Sequence, residues 1–197
     1  MYQRDNPIIA RHMLAHPDNF ANGVTFVFTT IQQPLASTVT QMQDIRSNGA
    51  DSKYLFGSKR DGYLYVQKHK KRLHKQMCEY VKNGDTESAL DLLTDVPCLG
   101  IVKAAFVAQL CGMDVACIDS HNCDRLGLAR TALRLAKTVK PATKLKKIGD
   151  YVALCKRTGG SQYWWDTWCE YVAGNSANKK LPTGDAVSAF HVEAVMT

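Results

Sequence analysis

The sequence predicts an all-α protein, on three observations. Apolar residues recur at helical spacing along most of the chain, few stretches alternate as a strand does, and no internal repeat divides the 197 residues. A chain of this length, of which 45% is hydrophobic, can bury one substantial core. We therefore predict a single helical domain over residues 1–174 and an irregular tail over residues 175–197, within which residues 186–195 have the alternative of forming one more helix.

The first third of the chain predicts helices followed by a turn-rich loop. Residues 7–16 and 19–31 have helical patterns, although the β-branched and aromatic residues that end the second one favour a strand when taken alone. Pro34 ends or restarts this helix, residues 37–45 continue as a further one, and residues 47–62 contain the turn signals of a loop.

A long basic helix is predicted over residues 63–81. Its apolar residues share one broad face, and basic residues occupy much of the rest. Gly84 closes this helix as a C-cap, and Asp85 or Thr86 caps a short helix that runs to Leu93. Later helices are predicted over residues 101–111, 144–157 and 161–173. Between the first two of these, a helix begins at residue 120, is interrupted at residues 126–128 and resumes over residues 131–138.

A short turn joins two of these helices, where residues 96–100 read Val-Pro-Cys-Leu-Gly. A Pro/Gly turn between helices presents backbone N–H groups outward, and such groups hold a phosphate oxygen without reading sequence. Asp119 follows in the next linker, after apolar residues that partly desolvate its carboxylate, which suits it to stabilising a developing positive charge. The alternative for Asp119 is that it only caps the helix after it.

The turn and the acidic segment together resemble the helix-hairpin-helix DNA glycosylases, the superfamily of endonuclease III. In that family a hairpin reading Leu-Pro-Gly-Val-Gly leads into a helix, and a Val-Asp-Thr-His segment then carries the catalytic aspartate. Residues 96–100 match the hairpin, residues 118–121 match the aspartate segment, and the upstream elements follow the family's order from residue 20 onward. The resemblance implies a two-lobed helical domain with its helix-hairpin-helix at about residues 86–111, and it is the reason for assigning residues 19–31 to a helix.

The resemblance also implies roles for individual residues. In the family, a glutamine at the end of the early helix fills the gap left by a flipped base; Gln33 takes that role here, unless it is only a polar helix end. His121 and Asn122 follow the aspartate and order the local backbone. The basic helix either meets the phosphate backbone or forms a solvated face. The residues expected to contact DNA are Pro97, Cys98, Leu99, Gly100, Val102, Lys103, Gln33, Lys68, Lys71 and Arg72.

Asp119 matches the family's catalytic aspartate. Breaking an N-glycosidic bond gives the sugar oxocarbenium character, which a nearby carboxylate stabilises while it orients or deprotonates water. The sequence departs from the family at two positions. Cys98 replaces the first hairpin glycine, and Val102 stands where bifunctional members have a Schiff-base lysine, with Lys103 about 100° further round the helix. This second departure predicts a monofunctional glycosylase without lyase activity, unless a one-residue shift in the hairpin brings Lys103 into the position of the nucleophile.

The compact size and the altered hairpin suggest a divergent, phage-encoded branch of the family. Two alternatives use the same features. One is a phage DNA hypermodification enzyme of the same fold, which transfers an amino acid or amine to activated 5-hydroxymethyl-uracil in DNA; the other is a non-catalytic DNA-binding module.

The aromatic residues of the helix at 161–173 are core residues, or supply one ring that stacks on a flipped base.

The net charge and the cysteine content limit which partners, cofactors and cellular compartment the sequence is compatible with. The formal net charge of +7 favours an anionic partner, here double-stranded DNA, which we expect a monomer to bind. Seven cysteines without a CxxC pair favour a reducing compartment, and Cys155 and Cys169 are too few and too far apart for the iron–sulfur cluster of some family members. We expect no metal, apart from a monovalent cation that the hairpin can hold. The sequence contains no long apolar run and no leader pattern, so we expect a cytoplasmic protein, in the host cell if a phage encodes it.

Overall fold

The computed structural model describes residues 5–129, 131–136, 138–173, 180–181 and 183–196. Within these ranges the chain forms ten α-helices and two short 3₁₀-helices, and it contains no β-strand, which confirms the all-α prediction. None of the helices in the described ranges combines the length and apolar character needed to cross a bilayer. The helices are α1 (Asp5–Ala15), α2 (Pro17–Thr29), α3 (Thr38–Asn48), α4 (Ser58–Asn83), α5 (Thr86–Thr94), α6 (Ile101–Leu110), α7 (Ser120–Arg125), α8 (Pro141–Arg157), α9 (Gly160–Val172) and α10 (Gly184–Met196).

Helix α2 lies at the centre of the core. It packs against α1, α3, α4, α6 and α10, and residues 23–29 are all buried. Because this segment is covered on every side, its β-branched and aromatic residues do not force a strand, and the helical prediction for it is correct. The helix ends two residues earlier than predicted, since Gln32 adopts a positive φ of 57° and Pro34 follows.

Helix α4 begins at Ser58, inside the segment that was predicted to be a loop. It crosses α2 and packs against α5. Gly84 adopts the left-handed conformation at its C-terminus and donates its N–H to the carbonyls of Tyr80 and Val81, as a C-cap glycine should. A side chain would not fit at Gly62, because a Cβ at this position would lie 2.4 Å from the carbonyl oxygen of Pro97. The glycine therefore lets α4 lie directly against the turn at residues 96–100.

Helices α5 and α6 pack against each other across this turn. The Asp85 carboxylate accepts a hydrogen bond from the Ser88 N–H at 3.1 Å, so Asp85 is the N-cap of α5, one of the two caps that the sequence allowed. Helix α6 is almost entirely buried, which fixes its N-terminal end, and with it the turn, relative to the core.

Two sequence predictions for the last third of the chain are wrong. Residues 131–136 form isolated turns instead of resuming the helix after α7, because Gly127 at a φ of 64° ends the helical path and half-buried leucines pack irregularly against the core. The tail that was predicted to be irregular contains α10, which corresponds to the alternative of one more helix. Buried Val187, Ala194 and Val195 dock α10 on α1, α2 and α9, so that it belongs to the core.

Candidate nucleic-acid site

A cavity of about 890 Å³ opens where several loops and helix ends meet. Its wall includes the segment after α2, the first residues of α6, the linker before α7, and side chains of α9 and α10. The structure thereby brings together residues that are far apart in the sequence. Of the site residues that the sequence predicts, five line the cavity, namely Gln33, Gly100, Val102, Lys103 and Asp119.

The turn at residues 96–100 has the backbone of a type II turn. The Leu99 N–H donates to the carbonyl of Val96 at 3.1 Å, Pro97 occupies the second position, and Cys98 adopts a φ of 74° at the third. Cys98 thus occupies the left-handed conformation that the family's glycine would favour, at a cost of about 1–2 kcal/mol for a residue with a side chain. The side chain of Leu99 is buried and anchors the turn to the core, so Leu99 can offer only its backbone groups to a partner.

The N-terminus of α6 faces the cavity without a side-chain cap. Gly100 is the N-cap, with a φ of −80° and a ψ of 175°, and its carbonyl accepts the N–H groups of Lys103 and Ala104. An ordinary φ does not require glycine, and a Cβ at Gly100 would meet nothing within 4 Å. Neither conformation nor packing therefore requires the glycine, which is a common N-cap residue and leaves the first N–H groups of the helix open to a ligand.

Two lysines meet at the C-terminal end of α2. Lys59 Nζ donates to the carbonyl of Ile31 at 3.0 Å, and Lys103 Nζ donates to Thr30 Oγ1 at 3.2 Å. Burial lowers the pKa of Lys59, the nearby Cys98 raises it, and the positive charge of Lys103 lowers it further. Among the described residues, neither ammonium group forms an ion pair with a carboxylate. Lys103 therefore gives the cavity wall a positive charge, which favours an anion, whereas Lys59 is not among the residues that line the cavity.

Sequence reasoning missed Lys59, which is only 8% exposed. It lies in the segment that was predicted to be a loop, and the residues it interacts with, Ile31 and Cys98, are distant in the sequence. The one local signal that could have identified Lys59 from the sequence is its location one helical turn before Gly62.

Asp119 is the N-cap of α7, and its half-buried side chain also lines the cavity. Its carboxylate accepts the N–H of Asn122 at 3.0 Å, which fixes the direction of the side chain. Buried Asn122 donates in turn to the carbonyl of Cys117 at 3.1 Å, in keeping with the predicted ordering role. The cap and the location in the cavity are compatible, so the capping role does not compete with a chemical one. The side chain of His121 lies outside the described part of the structure.

The linker before Asp119 is held by two side chains that sequence reasoning missed. Tyr151 on α8 donates its hydroxyl to the carbonyl of Ala116 at 2.6 Å and accepts the Ile118 N–H at 2.9 Å. Gln109 on α6 accepts the Cys117 N–H at 3.2 Å. Burial raises the pKa of Tyr151 well above its usual range and that of Cys117 to about 12, so both groups stay uncharged at neutral pH.

Aromatic rings form the inner wall of the cavity. Trp168 and Tyr171 of α9 are only partly buried, and they face the cavity together with His191 of α10. The His191 ring lies 5.3 Å from the Trp168 ring and 4.9 Å from the Trp165 ring, between centroids. Its Nδ1 is 2.7 Å from the carbonyl of Val187, and since a carbonyl only accepts, Nδ1 carries the proton. Buried Trp164 and Trp165 are therefore core residues that also line the cavity, whereas Tyr163 is exposed and does not line it.

The structure does not bring the predicted basic residues of α4 to the cavity. Lys68, Lys71 and Arg72 are exposed and none of them lines it. At 1.5 Å per residue they lie about 9–15 Å along the helix axis from Gly62, which contacts the hairpin. They are therefore outside the site itself, and only a long ligand would reach them.

Comparison with known proteins finds no match, whether to protein-family models, to curated proteins or to solved structures. Within the described residues, no group of three or more His, Cys, Asp or Glu side chains is arranged to hold a metal ion.

Proposed function

We propose that this protein binds double-stranded DNA, turns one nucleotide into the cavity and, as a monofunctional DNA glycosylase, hydrolyses its N-glycosidic bond with Asp119 as the catalytic carboxylate. The observation that carries the proposal is the meeting of Gln33, the α6 N-terminus and Asp119 at one aromatic-lined cavity. These three parts correspond to those that the resemblance to the helix-hairpin-helix glycosylases implies.

Binding begins with the DNA backbone. A phosphate oxygen accepts the free N–H groups at the start of α6, next to Gly100, while Lys103 supplies a positive charge beside it. These contacts position the duplex and read no sequence. Gln33, exposed at the rim, enters the space that the extruded nucleotide leaves.

The chemistry then takes place between the aromatic wall and Asp119. The rings of Trp168 and Tyr171 hold the base by stacking, which is tolerant of base identity. As the bond from the base to C1′ breaks, the Asp119 carboxylate stabilises the positive charge of the sugar and accepts a proton from the attacking water. The oxygen of that water bonds to C1′, and the base leaves with the bonding electrons and takes up a proton. The reaction needs no metal and no covalent intermediate on a lysine.

The size of the cavity favours a second candidate, the base-modifying transferase of the same fold. Its volume is about 890 Å³. A single flipped base leaves much of this space unfilled, so a second substrate such as an amino acid or amine has room beside it. In that case the chemistry moves from C1′ to the base.

Mass spectrometry of nucleosides separates these functions. Phage and bacterial DNA, with and without 5-hydroxymethyl-uracil derivatives, is incubated with the protein, and free bases and intact nucleosides are both quantified. We expect release of a free base and a matching number of abasic sites. An altered thymidine that appears only with an added amine and an activated substrate would instead establish the transferase. Binding to DNA without either product in any of these substrates would identify a DNA-binding module.

Replacing Gly100 by serine tests the phosphate contact. Serine is a better N-cap than glycine, so Gly100→Ser should fold at least as stably as the wild type. Its hydroxyl will accept the N–H of Val102 or Lys103 and so compete with the phosphate, and we expect DNA affinity to fall about tenfold, with a salt dependence weaker by about one phosphate. Titration of a duplex at several salt concentrations measures both effects. Gly149→Ser on α8, away from the cavity, is the matched control, and an unchanged affinity in Gly100→Ser would remove the contact.

A further inference from the structure

The charged side chains that line the cavity, within the described residues, are Lys103, Arg134 and Asp119. Two of the three are cations, and neither of these forms an ion pair with a carboxylate in the described part of the chain. The cavity wall therefore carries more positive than negative charge, which favours a small anion that enters the cavity.

Arg134 has no role in the reaction proposed above, although the structure places it at the cavity. It belongs to the turns at residues 131–136, where its carbonyl accepts a hydrogen bond from Lys147 Nζ at 3.0 Å. Its two neighbours, Leu133 and Leu135, are partly buried against the core and also line the cavity. These contacts fix the backbone of Arg134 at the cavity wall and leave its exposed guanidinium available to a ligand.

Lys103 lies close to both the aromatic wall and Asp119. Its ammonium is 5.5 Å from the centroid of the Phe106 ring, and that ring is 6.2 Å from the ring of His191. Besides the burial that raises the pKa of the Cys117 thiol, the charge of Lys103 lowers this pKa and the charge of Asp119 raises it. Both charges are thus within electrostatic reach of one thiol, and they do not pair with each other.

These groups correspond to the three parts of one nucleotide. Cations bind a phosphate, a carboxylate stabilises a sugar that develops positive charge, and aromatic rings stack on a base. The cavity volume of about 890 Å³ is at the upper end of the range of about 300–1,000 Å³ for small-molecule sites, so a whole nucleotide fits. None of the three contacts depends on a second nucleotide or on an opposite strand.

We propose that the cavity also binds a free deoxynucleoside 5′-monophosphate, with its phosphate on Lys103 and Arg134, and hydrolyses it to the base and 2-deoxyribose 5-phosphate. The inference rests on the reaction proposed for Asp119 and dispenses with the duplex. The oxygen of water bonds to C1′ as the bond from C1′ to the base breaks, and Asp119 accepts a proton of the water. The base leaves with the bonding electrons and takes up a proton, so the step needs no second substrate.

Tryptophan fluorescence tests the binding, because all three tryptophans of the chain line the cavity. The protein is titrated with dAMP, dGMP, dCMP, dTMP and dUMP, and with the corresponding nucleosides. We expect quenching by at least one monophosphate, which binds about 10- to 100-fold more tightly than its nucleoside because only the monophosphate makes charge-assisted hydrogen bonds. Arg134→Ala should lose most of this difference and retain the affinity for the nucleoside. Arg46→Ala, on the exposed side of α3, is the matched control and should behave as the wild type.

Chromatography of the same mixtures tests the hydrolysis by measuring free base and 2-deoxyribose 5-phosphate in equal amounts. Asp119→Asn should bind the monophosphate as the wild type does and release almost no base. Arg134→Ala should raise KM for the monophosphate and leave kcat nearly unchanged, as expected of a residue that positions the phosphate. Circular dichroism checks that each variant is folded.

The outcomes separate this inference from the proposed function. If no monophosphate binds, or if monophosphates and nucleosides bind equally, the inference is wrong, whereas base release from duplex DNA would still support the proposed function. Binding without base release would overturn the hydrolysis of free nucleotides. If monophosphates are hydrolysed while duplex DNA is neither bound nor cleaved, the inference stands and the proposed action on DNA is wrong. Unchanged selectivity in Arg134→Ala would remove Arg134 from the phosphate site.

Discussion

Asp119→Asn is expected to lower the rate of base release by about 10²–10⁴-fold, the range for loss of a positioned acid–base group, while DNA affinity stays within about twofold of the wild type. Asparagine cannot accept the proton of the attacking water, and it has no charge to set against the oxocarbenium ion. The carboxylate lines the cavity and is held in place by the Asn122 N–H. Loss of its charge therefore slows the reaction and leaves the DNA-binding surface intact.

The choice of asparagine removes the ambiguity between chemistry and capping. Asparagine and aspartate are about equally good N-caps, so α7 and the linker before it should be undisturbed. The measurement is a single-turnover assay of released base together with a binding titration and a melting curve. Asp124→Asn, the same substitution on the exposed side of α7, should retain full activity. Unchanged base release in Asp119→Asn would show that Asp119 is only a helix cap.

Gly62→Ala is expected to destabilise the protein by about 2 kcal/mol, the usual cost of overpacking a core, and to lower Tm by about 4–8 °C. A Cβ there would lie 2.4 Å from the Pro97 carbonyl oxygen and 2.8 Å from Cζ of Phe28. The first of these atoms belongs to the backbone of the turn, which cannot rotate away, so α4 and the hairpin have to move apart.

The same displacement should reach the candidate site. The hairpin leads directly into the α6 N-terminus, and the expected result is therefore a loss of DNA affinity in addition to the loss of stability. Gly149→Ala is the control, since a Cβ at Gly149 meets only the Glu87 carboxylate at 3.6 Å and should stabilise α8 by up to about 1 kcal/mol. Equal melting temperatures for the two variants would contradict the close contact between α4 and the turn.

The elements that sequence reasoning predicted well are those specified by local signals. Asp85 and Asp119 are N-caps, Gly84 is a C-cap, and the Pro97 turn joins two helices, because each of these depends on hydrogen bonds between residues a few positions apart. The left-handed backbone of Cys98 was not predicted, because the replacement of glycine by cysteine allowed a different conformation; a type II turn demands a positive φ at that position whichever residue fills it.

The errors have a common origin in contacts between distant segments. Residues 131–136 carry a helical pattern, yet the chain there follows the irregular surface that its leucines pack against. Residues 24–29 favour a strand by local propensity, and only the resemblance assigns them correctly to a helix; enclosure by five other helices is what outweighs that propensity. Local propensity is a weak preference, and burial outweighs it in α2.

By itself, the sequence determined that the protein is all-α, where most helices begin and end, and that a Pro/Gly turn and a capping aspartate are present. Only the tertiary structure decided that Gln33, Lys103 and Asp119 share one cavity, that α10 adds His191 to its wall, and that Lys59 is buried beside the hairpin while Lys68 and Arg72 lie away from it. The physical reason is range: caps and turns are hydrogen bonds within one or two turns of the chain, whereas a cavity is formed by helices whose packing partners lie tens to more than a hundred residues away.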